Sequence, residues 1–159
     1  MAAADKDDAP LSEDDKFTNL IAYGDLAGMM SFKDLPARIH ARDDEGWTAL
    51  HWAALYGHAE CAGFLIAHGA PLDAVSKKNE TPLMIAAESR QKSAFAVLLS
   101  AGADADIKRA NGDAVLDVLR EQKAEDFITV LRDVQAERAS VLQKNMAVMP
   151  HVAIRKRAP

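Results

Sequence analysis

Three residues of this chain have the types and spacing for reactive chemistry: His51, His58 and Cys61. His58 and Cys61 are three apart, so one helical face holds both. Two chemistries use such residues. Zinc takes several Cys or His ligands at close spacing. A Cys–His pair makes a nucleophile when a third group orients it and the thiolate is exposed. Neither set is complete. The chain has one cysteine and lacks the rest of a ligand set. Cys61 falls among Ala62, Phe64 and Leu65, where a cysteine behaves as a small, unreactive hydrophobe. The carboxylates Asp43, Asp44 and Glu45 are adjacent, but acid–base work needs a shielded setting that separates their pKa values. Nothing nearby supplies one, and an exposed acidic loop tip is expected. No Gly-x-Ser-x-Gly and no phosphate-cradling glycine loop occurs. The expectation is a non-enzymatic chain with no catalytic residue, no metal and no cofactor.

What positions these residues is a repeat. Residues 46–70 read GWTALHWAALYGHAECAGFLIAHGA and residues 79–103 read NETPLMIAAESRQKSAFAVLLSAGA. Thr48, Leu50, Ala53, Ala54, Leu65, Gly69 and Ala70 recur as Thr81, Leu83, Ala86, Ala87, Leu98, Gly102 and Ala103, each pair 33 positions apart (81 − 48, 102 − 69). A fixed period of this length marks stacked supersecondary units that share one core. Such stacks offer long concave surfaces, which favours binding over catalysis.

The pattern resembles the ankyrin-repeat family. Gly46, Thr48, Leu50, His51, the Ala53–Ala54 pair, Gly57, His58, Leu65, Gly69 and Ala70 carry the match in the first full unit, with Ala49 at the usual proline and Ile66 at the second leucine. The next unit has Pro82 and Leu98–Leu99, but Met84 stands at the histidine, Arg90 at the helix-end glycine and Asn79 at the hairpin glycine. Asn is the mildest replacement where the backbone is left-handed. The resemblance implies that Thr48 and His51 tie the loop to the helix by hydrogen bonds, and that His58 is structural too.

The same interval finds two degenerate units. Counting back from Gly57 reaches Gly24, with Phe17, Leu20, Ile21, Met29 and Phe32 on core positions. Counting forward from Thr81 reaches Ala114, with Leu116, Leu119, Ile128 and Leu131 on core positions and Asn111–Gly112 at the turn. Atypical end units suit a solenoid, whose ends face water. The expected fold is therefore all-α: an ankyrin solenoid of four helix-turn-helix repeats with hairpin loops, at about 14–42, 43–75, 76–108 and 109–134. Expected helices are 15–23 and 25–33, 48–56 and 58–67, 81–89 and 91–100, and 114–121 and 124–144. The last is extended, because Phe127, Leu131, Val134, Val141 and Leu142 form one apolar stripe. Cutting the chain after Val134 is expected to destabilise the last repeat. Residues 1–13 are expected to be an acidic disordered segment, and 145–159 a basic tail without a clear element, since Pro150 stops a helix.

Composition agrees with one compact domain. The 159 residues are 49% hydrophobic and 27% charged, with a net charge of −5, which gives no general reason to bind nucleic acid. The lone cysteine permits no internal disulfide and fits a reducing compartment. The N-terminus MAAADKDDAP lacks the apolar stretch of a secretory signal, and no apolar run reaches the length of a membrane span. A cytoplasmic protein is expected, with nuclear entry open by size. Arg155, Lys156 and Arg157 are too short a basic run for a targeting signal and read as a solvated tail.

The surface carries the functional expectation. Trp47 lies just past a hairpin tip, and Leu55 and Tyr56 end a first helix, on the side that faces the concave groove in ankyrin arrays. Trp52 is expected to be mostly core. Trp and Tyr are over-represented among binding hot spots. Tyr23, Arg42, Asp44, Glu45, Lys77, Lys78, Glu80, Glu88, Asn111 and Asp113 are expected around them, giving an apolar centre with a mixed-charge rim. Lys77 and Lys78 are expected to meet acidic groups on the partner. The function expected is protein–protein interaction by a stoichiometric regulator or adaptor, monomeric when free, with no nucleic acid and no membrane. The alternative is a scaffold or assembly subunit of a stable complex.

Overall fold

The structure, a computed structural model, describes residues 11–148. Nine helices follow one another among them: α1 (Glu13–Tyr23), α2 (Leu26–Met30), α3 (Leu35–His40), α4 (Ala49–Tyr56), α5 (Ala59–Ala67), α6 (Pro82–Glu88), α7 (Lys92–Ala101), α8 (Val115–Glu121) and α9 (Glu125–Val148). They form two layers. The first helices α1, α4, α6 and α8 pack side by side in one layer, and α2, α5, α7 and α9 pack in the other. This is a solenoid of paired helices, the all-helical fold that the sequence resemblance implies.

Small residues set the spacing inside the first layer. Ala53, Ala54, Ala86 and Ala87 are all completely buried. Side chains this short let α4 and α6 approach closely, and Leu50, Leu65, Leu83 and Leu98 fill the space between layers. The hairpin loops stack as well. The Lys77 N–H donates to the Glu45 carbonyl (2.9 Å) and the Ala110 N–H to the Lys78 carbonyl (3.4 Å), so each loop leans on its predecessor.

The turn between the two helices of each repeat comes at Gly24, Gly57, Arg90 and Lys123, 33 residues apart (57 − 24, 90 − 57, 123 − 90). All four are left-handed, with φ of 69°, 77°, 56° and 53°. The next repeat covers this turn. A Cβ on Gly24 would lie 2.8 Å from His58 Nδ1, and one on Gly57 would collide with the Gln91 amide. Position 124, the counterpart of His58 and Gln91, is a buried alanine. A residue with no side chain beyond Cβ leaves room, which explains how Arg90 stands where glycine is usual.

The ends depart from the expected boundaries. Residues 1–10 and 149–159 lie outside the described residues, and most of both expected tails with them. Ser12 caps α1 earlier than expected: its hydroxyl accepts from the Asp15 N–H (3.1 Å) while its own N–H donates to the Asp15 carboxylate (3.2 Å). The expected helix 25–33 ends early, as α2 at Met30, and a further helix not expected from the sequence, α3, follows at Leu35–His40. The position that is Gly69 and Gly102 in later repeats is Pro36 in the first (69 − 33). Proline cannot take a left-handed φ, but it fits a first helical turn, and Pro36 stands in the first turn of α3, which starts at Leu35 after α2 has ended at Met30. At the other end α9 runs on to Val148, past the expected 144.

The first half of α9 buries Phe127, Ile128 and Leu131, whereas every residue from 135 to 147 is exposed. Removing residues 135–159 therefore takes no buried described side chain, which argues for a smaller effect of that cut than expected. The truncated chain should keep its urea midpoint to within a few tenths of a molar, whereas Leu131→Ala should cost about 2–5 kcal/mol. At the turns, Gly57→Ala should cost on the order of 1–2 kcal/mol or more, through left-handed strain and the displacement of the Gln91 amide, read by urea denaturation. Arg90→Gly should be close to neutral, because relief of strain offsets a more flexible unfolded chain.

Candidate functional site

His51 is the pivot beneath the candidate surface. It is completely buried at the start of α4. Its Nδ1 accepts from the Thr48 N–H (3.1 Å), closing the loop against the helix. Its Nε2 lies 3.0 Å from the Glu80 carbonyl in the following repeat. A carbonyl only accepts, so Nε2 carries the proton and the ring is neutral. Burial pushes the His51 pKa below its ordinary value, opposed by the bond to Glu80. His58 bridges in the other direction, with Nε2 2.9 Å from the Ala22 carbonyl of the first repeat. Both histidines hold neighbouring repeats together. Burial also pushes the Cys61 thiol above its usual value, and the side chain is 1% exposed, which disfavours a thiolate there. Among the described residues no group of three or more His, Cys, Asp or Glu is placed to hold a metal.

The rings beside this pivot form a row. Trp52 and Tyr56 are one helical turn apart on α4, so they share a face. Their rings stack at 6.2 Å with an 18° interplanar angle. Trp47 joins from the loop at 4.9 Å and 55° from Trp52, and stacks on His51 at 5.8 Å. His58 extends the row beyond Tyr56 at 6.4 Å. The Asp43 carboxylate fixes the loop by accepting from the Glu45 N–H (2.9 Å) and the Trp47 N–H (2.8 Å). Trp47, Trp52 and Leu55 are half-buried, and Tyr56 is 44% exposed.

Trp52 belongs to this surface, although the sequence places it mostly in the core. Its step of four to Tyr56 is the signal that reveals it. Trp47 and Trp52 form a ridge between two hollows. One, of about 250 Å³, is lined by Asp14, Phe17, Arg38, Asp44 and both tryptophans. The other, of about 170 Å³, is lined by Glu45, Ser76, Lys78, Glu80 and both tryptophans. Tyr23 is 84% exposed, at the position of the first repeat that corresponds to Tyr56 (56 − 23 = 33).

The expected rim divides into free and engaged groups. Asp44, Glu45, Lys77 and Lys78 are exposed at their loop tips. Glu80 and Glu88 are engaged by Arg109, whose guanidinium stands 3.8 Å and 2.6 Å from their carboxylates, with the Arg109 and Glu80 side chains each only 15% exposed. Nothing in the sequence spacing points to Arg109, because its partners lie more than twenty residues away and meet it only when repeats stack. Asn111 and Asp113 turn toward each other, the Asn111 amide donating to the Asp113 carboxylate at 2.7 Å. They close the third hairpin tip, away from the aromatic row. Among the described residues no helix is long and apolar enough to cross a membrane.

Comparison with known proteins agrees with this architecture. A family model described as ankyrin repeats, in three copies, matches residues 17–109. Human protein phosphatase 1 regulatory subunit 27 is 34% identical over 107 residues, which is 65% of this chain and 68% of that protein. A putative ankyrin repeat-containing protein of Treponema pallidum is 30% identical over 121 residues, 76% of this chain and 41% of the relative. Palmitoyltransferase Hip14 of Drosophila melanogaster is 31% identical over 97 residues. Several of these relatives are much longer: the chain spans 15% of Hip14 and 4% of human SH3 and multiple ankyrin repeat domains protein 2.

The buried neutral His51 has a measurable consequence. In the unfolded chain a histidine takes a proton near pH 6.5, while in the fold it does so only at lower pH. Between those values the unfolded state binds more protons, so stability is full above the unfolded value and falls as pH drops through it. The urea midpoint should therefore decrease from pH 7.5 to pH 5 (about the range of histidine titration). His51→Met, which copies Met84 of the next repeat, should flatten that decrease.

Proposed function

This chain belongs to the ankyrin-repeat family, and from that premise we propose that it is a stoichiometric regulator or adaptor that docks one partner protein on the Trp47–Trp52–Tyr56 surface. Ankyrin repeats make the chain a protein-interaction module. The observation that carries the finer reading is the stacked aromatic row. Rings of this size bury large areas on contact at low entropic cost, and they dominate interface energies. Loop tips with exposed Asp44, Glu45, Lys77 and Lys78 surround the row with charge, as at a protein interface. A relative of which this chain covers 68% is by name a regulatory subunit, which favours a small regulator. On this reading the protein is a monomer when free, works in the cytoplasm or nucleus, and performs no catalysis.

A second reading, a scaffold or assembly subunit, is favoured by one feature. Val141, Leu142 and Met146 are 55%, 62% and 76% exposed on the second half of α9. An apolar face of this kind is suited to a permanent partner. Size-exclusion chromatography with light scattering separates the two readings. A monomer supports the regulator, and self-association that is lost on removing residues 135–159 supports the subunit.

Docking is tested by substitution. Tyr56→Ala and Trp47→Ala should each weaken capture of the partner by on the order of 2–4 kcal/mol, with the helical circular-dichroism signal unchanged. Arg132→Ala and Gln135→Ala, exposed on α9, should have no effect. Normal capture by the aromatic variants, with loss in the last-repeat variants, would move the site to the C-terminal end.

A further inference from the structure

Resting on the docking reading above, we infer that the partner segment held by the aromatic row is basic and carries arginine. A guanidinium lies against Trp47, Trp52 or Tyr56, and its charge meets the unpaired carboxylates beside them.

Charges of this chain are unevenly matched around the two hollows. The ridge between them is aromatic, and ring faces attract cations. Cations of this chain do not occupy those faces. Arg38 is ion-paired with Asp14. Arg42 turns its guanidinium to the Val75 carbonyl (2.8 Å) and the Gly46 carbonyl (3.3 Å). The cation–π contact among the described residues is elsewhere, with Arg90 6.0 Å from the centre of the Phe127 ring. The acids are differently placed. Asp44 and Glu45 are exposed next to the ridge, one at each hollow, and neither is in an ion pair among the described residues. Asp43, between them, points one oxygen at two backbone N–H groups at the base of the tip.

Lys77 and Lys78 oppose this field from the next tip, but Lys78 lines only the smaller hollow and Lys77 neither. The larger hollow is thus walled by carboxylates and aromatic faces, with both of its arginines engaged. Arginine suits it better than lysine, because a planar guanidinium stacks on a ring and forks onto a carboxylate at once.

The chain supplies its own reporter. Its two tryptophans are Trp47 and Trp52, so intrinsic fluorescence reads the site directly. The probe is a short synthetic peptide alternating arginine and leucine, with versions in which lysine, citrulline or glutamate replaces arginine. The arginine peptide should shift tryptophan emission saturably, and added salt should weaken it. The lysine version should bind several-fold more weakly, and the citrulline and glutamate versions should give no saturable shift. Asp44→Lys with Glu45→Lys should weaken the arginine peptide about tenfold or more, and Lys77→Glu with Lys78→Glu should tighten it by about two- to fivefold. All four positions are exposed, so these variants fold.

Equal binding of the citrulline peptide, preference for the glutamate peptide, or no response to any version overturns the inference. A captured partner that needs Tyr56 and Trp47 but docks an acidic segment against Lys77 and Lys78 also overturns it, and leaves the docking site standing. Arginine-peptide binding that is unchanged in Tyr56→Ala and Trp47→Ala puts the contact elsewhere and overturns both.

Discussion

Everything in this molecule depends on how closely one repeat can approach the next. The completely buried alanines of α4 and α6 set that distance. With nothing beyond Cβ, the helix backbones come near enough for groups of neighbouring repeats to reach each other. His51 Nε2 then meets the Glu80 carbonyl, His58 Nε2 the Ala22 carbonyl, and the Lys77 N–H the Glu45 carbonyl. Each is a single hydrogen bond, worth about 1 kcal/mol net. Their larger effect is register. They fix the hairpin tips relative to one another and so shape the surface between them. A bulkier residue at Ala53 or Ala86 would separate the helices and break all of these links together.

The same closeness explains why the candidate site is in the second repeat. That unit has a neighbour on both sides, and its loop is held from above by Asp43 and from within by Thr48 and His51. Trp47 can therefore stay half-exposed and still have a defined place, resting on His51 and Trp52. At the next repeat the position of Trp47 is Glu80 (80 − 47 = 33) and that of Trp52 is Ile85. There the surface becomes an ion-paired one, with Arg109 drawing Glu80 and Glu88 inward. Two adjacent repeats of similar backbone thus offer an aromatic surface edged by unpaired acids and one whose acids are ion-paired.

The end repeats depart from the pattern for physical reasons. In the first, Pro36 stands at the position of the usual glycine and falls in the first turn of an added helix, α3, which packs on α4. In the last, Gln135 stands where Gly69 and Gly102 end their helices, so α9 continues to Val148. Its first half closes the core, and its second half carries the exposed Val141, Leu142 and Met146.

The sequence alone determined the period, the helix pairs of the central repeats, the left-handed turn glycines and Asn79, and two aromatic residues of the candidate surface, Trp47 and Tyr56. These are properties of local spacing: a 33-residue interval, a glycine or asparagine at a positive φ, an Ala–Ala pair facing a neighbour. Only the tertiary structure decided which charges are free. Glu80 and Glu88 have the same residue type as Glu45, yet the stacked loops bring Arg109 to the first two and leave the third to solvent. It also placed Trp52 in the row, added α3 to the first repeat, and exposed the stripe whose first half is core. Ion pairs and partial burial between repeats are set by three-dimensional distance, which residue spacing along one repeat does not encode.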